Sequence, residues 1–171
     1  MTYTIDEILS FIEENDVKFI RLAFTDILGT SKNVAIMASE FARAYEHGVA
    51  FDACAIRGFR TKQRSDLLLF PDLSTMSVLP WRGNRGLVIR FYCDIKYPNG
   101  ELFEGDGRYI LKKAASRLCR AGFDCKISPE CEFYLFERDE KGNPTHTPQD
   151  HAAYLDIAPL DKGENVRRDI C

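Results

Sequence analysis

The sequence predicts an α+β chain. A capped amphipathic helix opens it, and β-branched and aromatic runs bounded by turn residues follow. A further capped helix begins a new regime at Asp106. Thr4 and Glu7 form a capping box ahead of Ile5, Ile8, Leu9 and Ile12, spaced for one helical face. Val17 to Phe24 reads as a strand, and a turn at Asp26 to Gly29 leads to a hairpin partner over Asn33-Val34-Ala35-Ile36. Ser39 is placed to cap a helix carrying Phe41, Ala44 and Tyr45, with Gly48 as its stop. Leu67 to Phe70, Met76 to Leu79 and Gly86 to Asp94 are further strands, and Pro98-Asn99-Gly100-Glu101 is a turn.

Asp106 caps a helix bearing Ile110, Leu111, Ala114, Ala115 and Leu118, which ends at Gly122. A strand over Ser128 to Phe136 follows and is broken by a polar turn at Asp139 to Asn143. Tyr154-Leu155-Asp156-Ile157 reads as one more strand. Asp161 and Glu164 favour the positive end of a last helix, with Arg167 and Arg168 in its next turn. On this reading the sequence stops at Cys171 in mid-helix.

Bulk properties narrow the function classes. The 171 residues suit one domain, or a small domain with part of another. A formal net charge of −3 argues against a nucleic-acid binder, which carries a basic stripe. The acidic start Thr4-Ile5-Asp6-Glu7 and the lack of a long apolar run give no signal peptide or membrane span. The six cysteines form no CxxC pair, so they read as buried thiols in a reducing cytosol rather than as zinc ligands or disulfides. His47, His146 and His151 read as surface or cap residues.

The strand over Ser128 to Phe136 carries the chemistry. Alternation puts Glu130, Glu132, Tyr134 and Phe136 on one face and Cys131, Phe133 and Leu135 on a core face. Two same-face carboxylates about 6–7 Å apart repel unless a cation sits beside them. Oxygen ligands suit hard ions such as Mg²⁺ or Mn²⁺. The plain alternative is an edge strand whose two glutamates face water.

The segment Pro129-Glu130-Cys131-Glu132-Phe133-Tyr134-Leu135-Phe136 resembles a signature of type I glutamine synthetases. Lys18 to Leu22 with Phe24 to Gly29, Phe51-Asp52 with Ile56 to Phe59, and Ser65-Asp66-Leu67 follow in that family's order. So do Pro71-Asp72, Pro80-Trp81, Cys93-Asp94, Phe103 to Asp106 and Gly163 to Ile170. The resemblance implies an N-terminal helix over 1–15, a β-grasp domain over 16–103, and the beginning of an ATP-dependent catalytic domain over 104–171. It also implies that the chain is less than half of the whole enzyme and inactive by itself.

By that resemblance the function is a glutamate–ammonia ligase, making glutamine from glutamate, ammonia and ATP through γ-glutamyl phosphate. Glu130 would hold the nucleotide-side divalent ion and Glu132 the glutamate-side ion. Asp52 would reach a neighbour's active site, bind ammonium and take its proton. Tyr154 would border the same pocket. The compartment is the cytoplasm, and the full-length assembly is a homododecamer of two stacked hexamers, with no nucleic-acid or membrane partner.

Some positions depart from the family pattern. Ala53-Cys54-Ala55 stands where Gly-Ser-Ser is usual, so Ala55 offers a methyl in place of a hydroxyl. That opens an alternative, a γ-glutamyl-amine ligase of the same fold taking polyamine or ethanolamine. A non-catalytic truncated paralogue acting as an interaction module is the other alternative. Thr61 stands where some relatives carry a glutamine-responsive arginine, so that feedback control is not expected. Arg57, Arg60, Lys62 and Arg64 read as a loop facing an acidic neighbouring subunit.

Overall fold

In the computed structural model, which describes residues 3–59, 66–80 and 86–170, the first helix α1 spans Ile5–Glu14. Its capping box forms as predicted: the Thr4 side chain accepts from the Glu7 N–H, and the Glu7 carboxylate accepts from the Thr4 N–H at 2.7 Å. Ile8 and Ile12 are its buried stripe.

Strands β1 (Val17–Thr25) and β2 (Ser31–Met37) form the expected hairpin, with Leu22 opposite Val34. Buried Asp26 holds the turn by accepting from Leu28 N and Thr30 N, each at 2.9 Å. Burial pushes its pKa up, but those N–H donors and Lys32 outweigh it and leave the value lowered.

Helix α2 is Phe41–His47, and here the sequence reading needs correction. Ser39 is not its cap: it lies inside a 3-10 turn over Ala38–Glu40, and no side chain caps α2. The 3-10 turn already orders the backbone ahead of Phe41, so no side-chain acceptor is required there. Gly48 does end the helix, at φ 72°, and an added Cβ there would press on the Phe70 ring at 2.8 Å.

Four more strands complete this sheet: β3 (Val49–Asp52), β4 (Asp66–Pro71), β5 (Ser77–Val78) and β6 (Leu87–Lys96). The order is β2-β1-β6-β4-β3, with β5 also on β6; β1 and β6 run parallel and the other pairs antiparallel. The sequence reading assigned no strand between Gly48 and Leu67, so β3 is an addition. It is too short to show a period, and only its pairing to β4 makes it a strand.

One face of the sheet is dry. Leu87, Ile89, Phe91, Cys93 and Ile95 alternate inward along β6 and meet Ile20, Leu22, Leu67 and Leu69. Phe41 of α2 covers them, stacked on Phe91 at 4.7 Å between ring centroids. Burial of each such side chain stabilises by about 1.5–3 kcal/mol, which makes this cluster the main stabilising element.

Helix α3 (Gly107–Arg120) is fixed at its first turns only. Asp106, 1% exposed, accepts from Arg108 N at 3.0 Å and from Ile95 N of β6 at 3.3 Å. Arg108 bridges Asp72 and Asp94, and Lys112 reaches both of the same acids. Ile110 and Leu111, between those two basic residues, are exposed, and so is Leu118 further along. The backbone divides into two compact units, 1–125 and 126–171, so α3 belongs with the sheet.

In the second unit, β7 (Phe136–Arg138) and β8 (Pro144–Pro148) form a hairpin, and α4 is Glu164–Ile170. The Asp139 to Asn143 turn joins the hairpin as predicted, with Asp139 accepting from Asn143 N at 2.8 Å. Two predicted strands do not form. Backbone from 123 to 135 has no assigned secondary structure, and Cys131 and Phe133 are exposed rather than core. Tyr154 and Leu155 lie in a turn, with Leu155 at φ 63°. A strand exists through its ladder, and among the described residues neither segment has a pairing strand.

The cysteine reading also changes. Cys93 is buried, but Cys54, Cys119, Cys125 and Cys131 are exposed free thiols. Apolar neighbours in sequence do not bury a residue unless an element covers it. Arg60, Thr61, Lys62, Arg64 and Trp81 lie outside the described residues. Among the described residues no helix is long and apolar enough to cross a membrane.

Candidate functional site

The second unit is held by aspartates more than by apolar packing, because among the described residues none of its side chains belongs to the buried core. Asp150 accepts from Ala152 N at 3.2 Å and from Lys162 N at 2.8 Å, which folds the intervening loop back. Asp161 accepts from Gly163 N at 2.8 Å and binds the Arg167 guanidinium with both oxygens. The Arg167 hydrogen bonds, with the Gly163 N–H, keep the Asp161 pKa below the usual aspartate value. This bidentate pair ties the start of α4 to the loop before it.

These contacts frame an open groove of about 1080 Å³, lined by Glu132, Tyr134, Tyr154, Asp161 and Arg167 among others. Glu132 and Tyr154, predicted separately, therefore share one groove. Tyr154 is 92% exposed, so it is not a core aromatic. Tyr134 stacks on Phe136 with ring centroids 6.3 Å apart, so these two do share a face. Glu130 is exposed and does not line the groove.

The donors fit a hard divalent ion in kind but not in number. Glu130 and Glu132 make no ion pair or side-chain hydrogen bond among the described residues, which leaves both carboxylates free to ligate. Among the described residues no set of three His, Cys, Asp or Glu side chains is grouped to hold a metal ion. Mg²⁺ needs six oxygens, and two carboxylates leave most of that shell to water or other groups.

In the first unit Asp52 ends β3 and starts a 3-10 turn over Ala53–Ala55. Its Oδ1 accepts from Cys54 N at 2.9 Å, and among the described residues Oδ2 has no hydrogen-bond donor. Ala53 and Phe59 are buried and anchor the two ends of the segment, while Asp52, Cys54 and Ala55 face outward. Gly58 (φ 89°) brings its backbone against Ile27, where a Cβ would come within 2.4 Å. A glycine is required there, and this contact sets the path of the loop after Ala55.

Sequence reasoning missed Arg167 as a groove residue, having placed it only as a helix residue. An acid six positions ahead of an arginine carries no helical spacing signal, because the partners lie on a loop and a helix.

Two family models match the chain: glutamine synthetase, β-grasp domain, over residues 16–98, and glutamine synthetase, catalytic domain, over residues 104–171. The chain belongs to the glutamine synthetase family. The glutamine synthetase of Clostridium saccharobutylicum is 46% identical over 168 residues, covering 98% of this chain and 38% of that protein. The glutamine synthetase of Thermus thermophilus is 47% identical over 174 residues, covering 99% of this chain and 39% of that protein. The chain thus spans well under half the length of these glutamine synthetases. In fold it is similar to the Plasmodium falciparum glutamine synthetase solved by cryo-electron microscopy, with a TM-score of 0.72 and 20% identity. That match covers 100% of this chain and 40% of the other.

Proposed function

We propose that this chain supplies the β-grasp domain and the first part of the catalytic domain of a glutamate–ammonia ligase. That enzyme makes glutamine from glutamate, ammonia and ATP by way of γ-glutamyl phosphate, in the cytoplasm. The observation that carries the reading is the match to both glutamine synthetase domain models, in order, along nearly the whole chain.

Phosphoryl transfer from ATP depends on positioning and on neutralising the charge of the transferred group. Divalent ions, Mg²⁺ or Mn²⁺, supply that neutralisation when bound, and Glu130 and Glu132 would hold them. Asp52, with Oδ1 engaged by Cys54 N, presents its remaining carboxylate oxygen to ammonium and takes its proton. Tyr154 borders the ammonium, and Ala55 lines its pocket with a methyl in place of a hydroxyl. Assembly is a dodecamer of stacked hexameric rings, in which Asp52 serves a neighbouring subunit. With two carboxylates and no complete ligand set, the 171-residue chain does not catalyse alone.

The test uses an enzyme of the relatives' full length that contains this chain. Glu130→Gln and Glu132→Gln should each lower kcat/KM about a hundredfold or more, about 3 kcal/mol of transition-state stabilisation. Near-normal turnover of both variants at saturating Mg²⁺ overturns the ligand assignment. A preference for putrescine or ethanolamine over ammonium of tenfold or more overturns the ammonia reading.

A further inference from the structure

Strands β1 and β6 lie side by side and parallel, with Arg21 directly opposite Arg90. Both point to the sheet face opposite the one that buries Ile20, Leu22, Ile89 and Phe91. On the other side of β6, Ser77 of β5 is the antiparallel partner of Arg90. Like charges directly opposite across strands are destabilising unless something compensates them.

Among the described residues no acid does so. Among the described residues, the Arg21 side chain has one hydrogen-bond partner, Asn33 Oδ1 at 3.2 Å. Arg90 makes no side-chain hydrogen bond or ion pair among them, and its guanidinium lies over the Tyr92 ring at 4.7 Å. The Nε of Arg90 and the Oγ of Ser77 are buried without a partner. Asp94, four residues along β6 on the same face, is already held by Arg108 and Lys112. Phe19, two residues before Arg21, is 47% exposed, and Tyr92 lies two residues after Arg90.

We propose that this face of the sheet binds a small metabolite through an oxyanion, carboxylate or phosphate, held between Arg21 and Arg90. A guanidinium presents a planar fork of donors that matches either oxyanion. The Ser77 hydroxyl is the third donor in the row, and Phe19 and Tyr92 are the apolar flanks. This site uses none of Glu130, Glu132, Asp52 or Tyr154 and does not depend on the ligase reading.

The experiment titrates the 171-residue chain with sodium succinate and, separately, with inorganic phosphate, at ionic strength held constant with KCl. Binding heats and the thermal unfolding midpoint are read together. Saturable binding is expected, with a matching rise in the midpoint. Arg21→Gln and Arg90→Gln should each weaken it tenfold or more, about 1.4 kcal/mol, and Arg90→Lys should fall between. Without anion, Arg21→Gln should be at least as stable as the parent, since the like-charge repulsion is relieved. Binding of succinate alone identifies a carboxylate ligand, and binding of phosphate alone a phosphorylated one; either supports the site. It is overturned if neither anion binds saturably, if KCl alone gives the same stabilisation, or if the variants bind as the parent does. A loss of stability in both glutamine variants without anion would make the arginines structural and likewise overturn it.

Discussion

Replacing Asp106 tests how α3 is attached to the sheet. Its carboxylate serves two donors at once, the Arg108 N–H at the helix start and the Ile95 N–H on β6. In Asp106→Ala the helix loses its cap, which costs about 1 kcal/mol. The buried Ile95 N–H loses its acceptor, which costs about 1–3 kcal/mol. The sum is about 3 kcal/mol, and the unfolding midpoint should fall by about 10 °C. Urea unfolding followed by far-UV circular dichroism measures it directly. A loss under about 1 kcal/mol would show that the two hydrogen bonds contribute little, and the reasoning fails.

The same residue makes a pH prediction of definite sign. Burial, the largest influence, raises the Asp106 pKa above the ordinary aspartate value of 3.8. The folded chain therefore holds this proton more tightly than the unfolded chain. The contribution of Asp106 to stability is full below the ordinary value and declines as pH rises through the folded value. The cost of Asp106→Ala should be larger near about pH 4 than near about pH 7. A cost that grows with pH contradicts the assignment.

Three further outcomes are expected. Phe91→Ala removes a fully buried ring stacked on Phe41 and should cost about 3–5 kcal/mol in urea unfolding; a cost near 1 would mean the core refills the space. Asp26 has a lowered pKa, so its contribution is present above the ordinary aspartate value of 3.8 and lost as pH falls through the folded value. Midpoints of Asp26→Asn and the parent, scanned through acid, should therefore converge, and parallel curves would refute the turn's role. In the full-length enzyme, Asp52→Ala should raise the KM for ammonium tenfold or more, about 1.4 kcal/mol, while the KM values for ATP and glutamate stay unchanged. An equal rise for all three would make Asp52 structural.

Much of the first unit was legible in the sequence because its signals are local. The Thr4/Glu7 box, the alternation along Leu87 to Ile95, the Gly48 stop and the Asp106 cap each lie within a few residues of what they determine. The same holds for the ordered family motifs, which named the family from residue identity alone. Tertiary structure decided what depends on a partner distant in sequence. Val49–Asp52 became a strand because β4 pairs with it, and Ser128 to Leu135 did not, because among the described residues no strand pairs with it. Glu132 and Tyr154 met in one groove because Asp150 and Asp161 fold the loop between them, a closure no spacing rule encodes. Arg21 and Arg90 are 69 positions apart in sequence, and only the parallel pairing of β1 with β6 sets one guanidinium opposite the other. Local chemistry fixes a helix cap or a turn, whereas a strand, a groove or a charge pair needs the chain to return to itself.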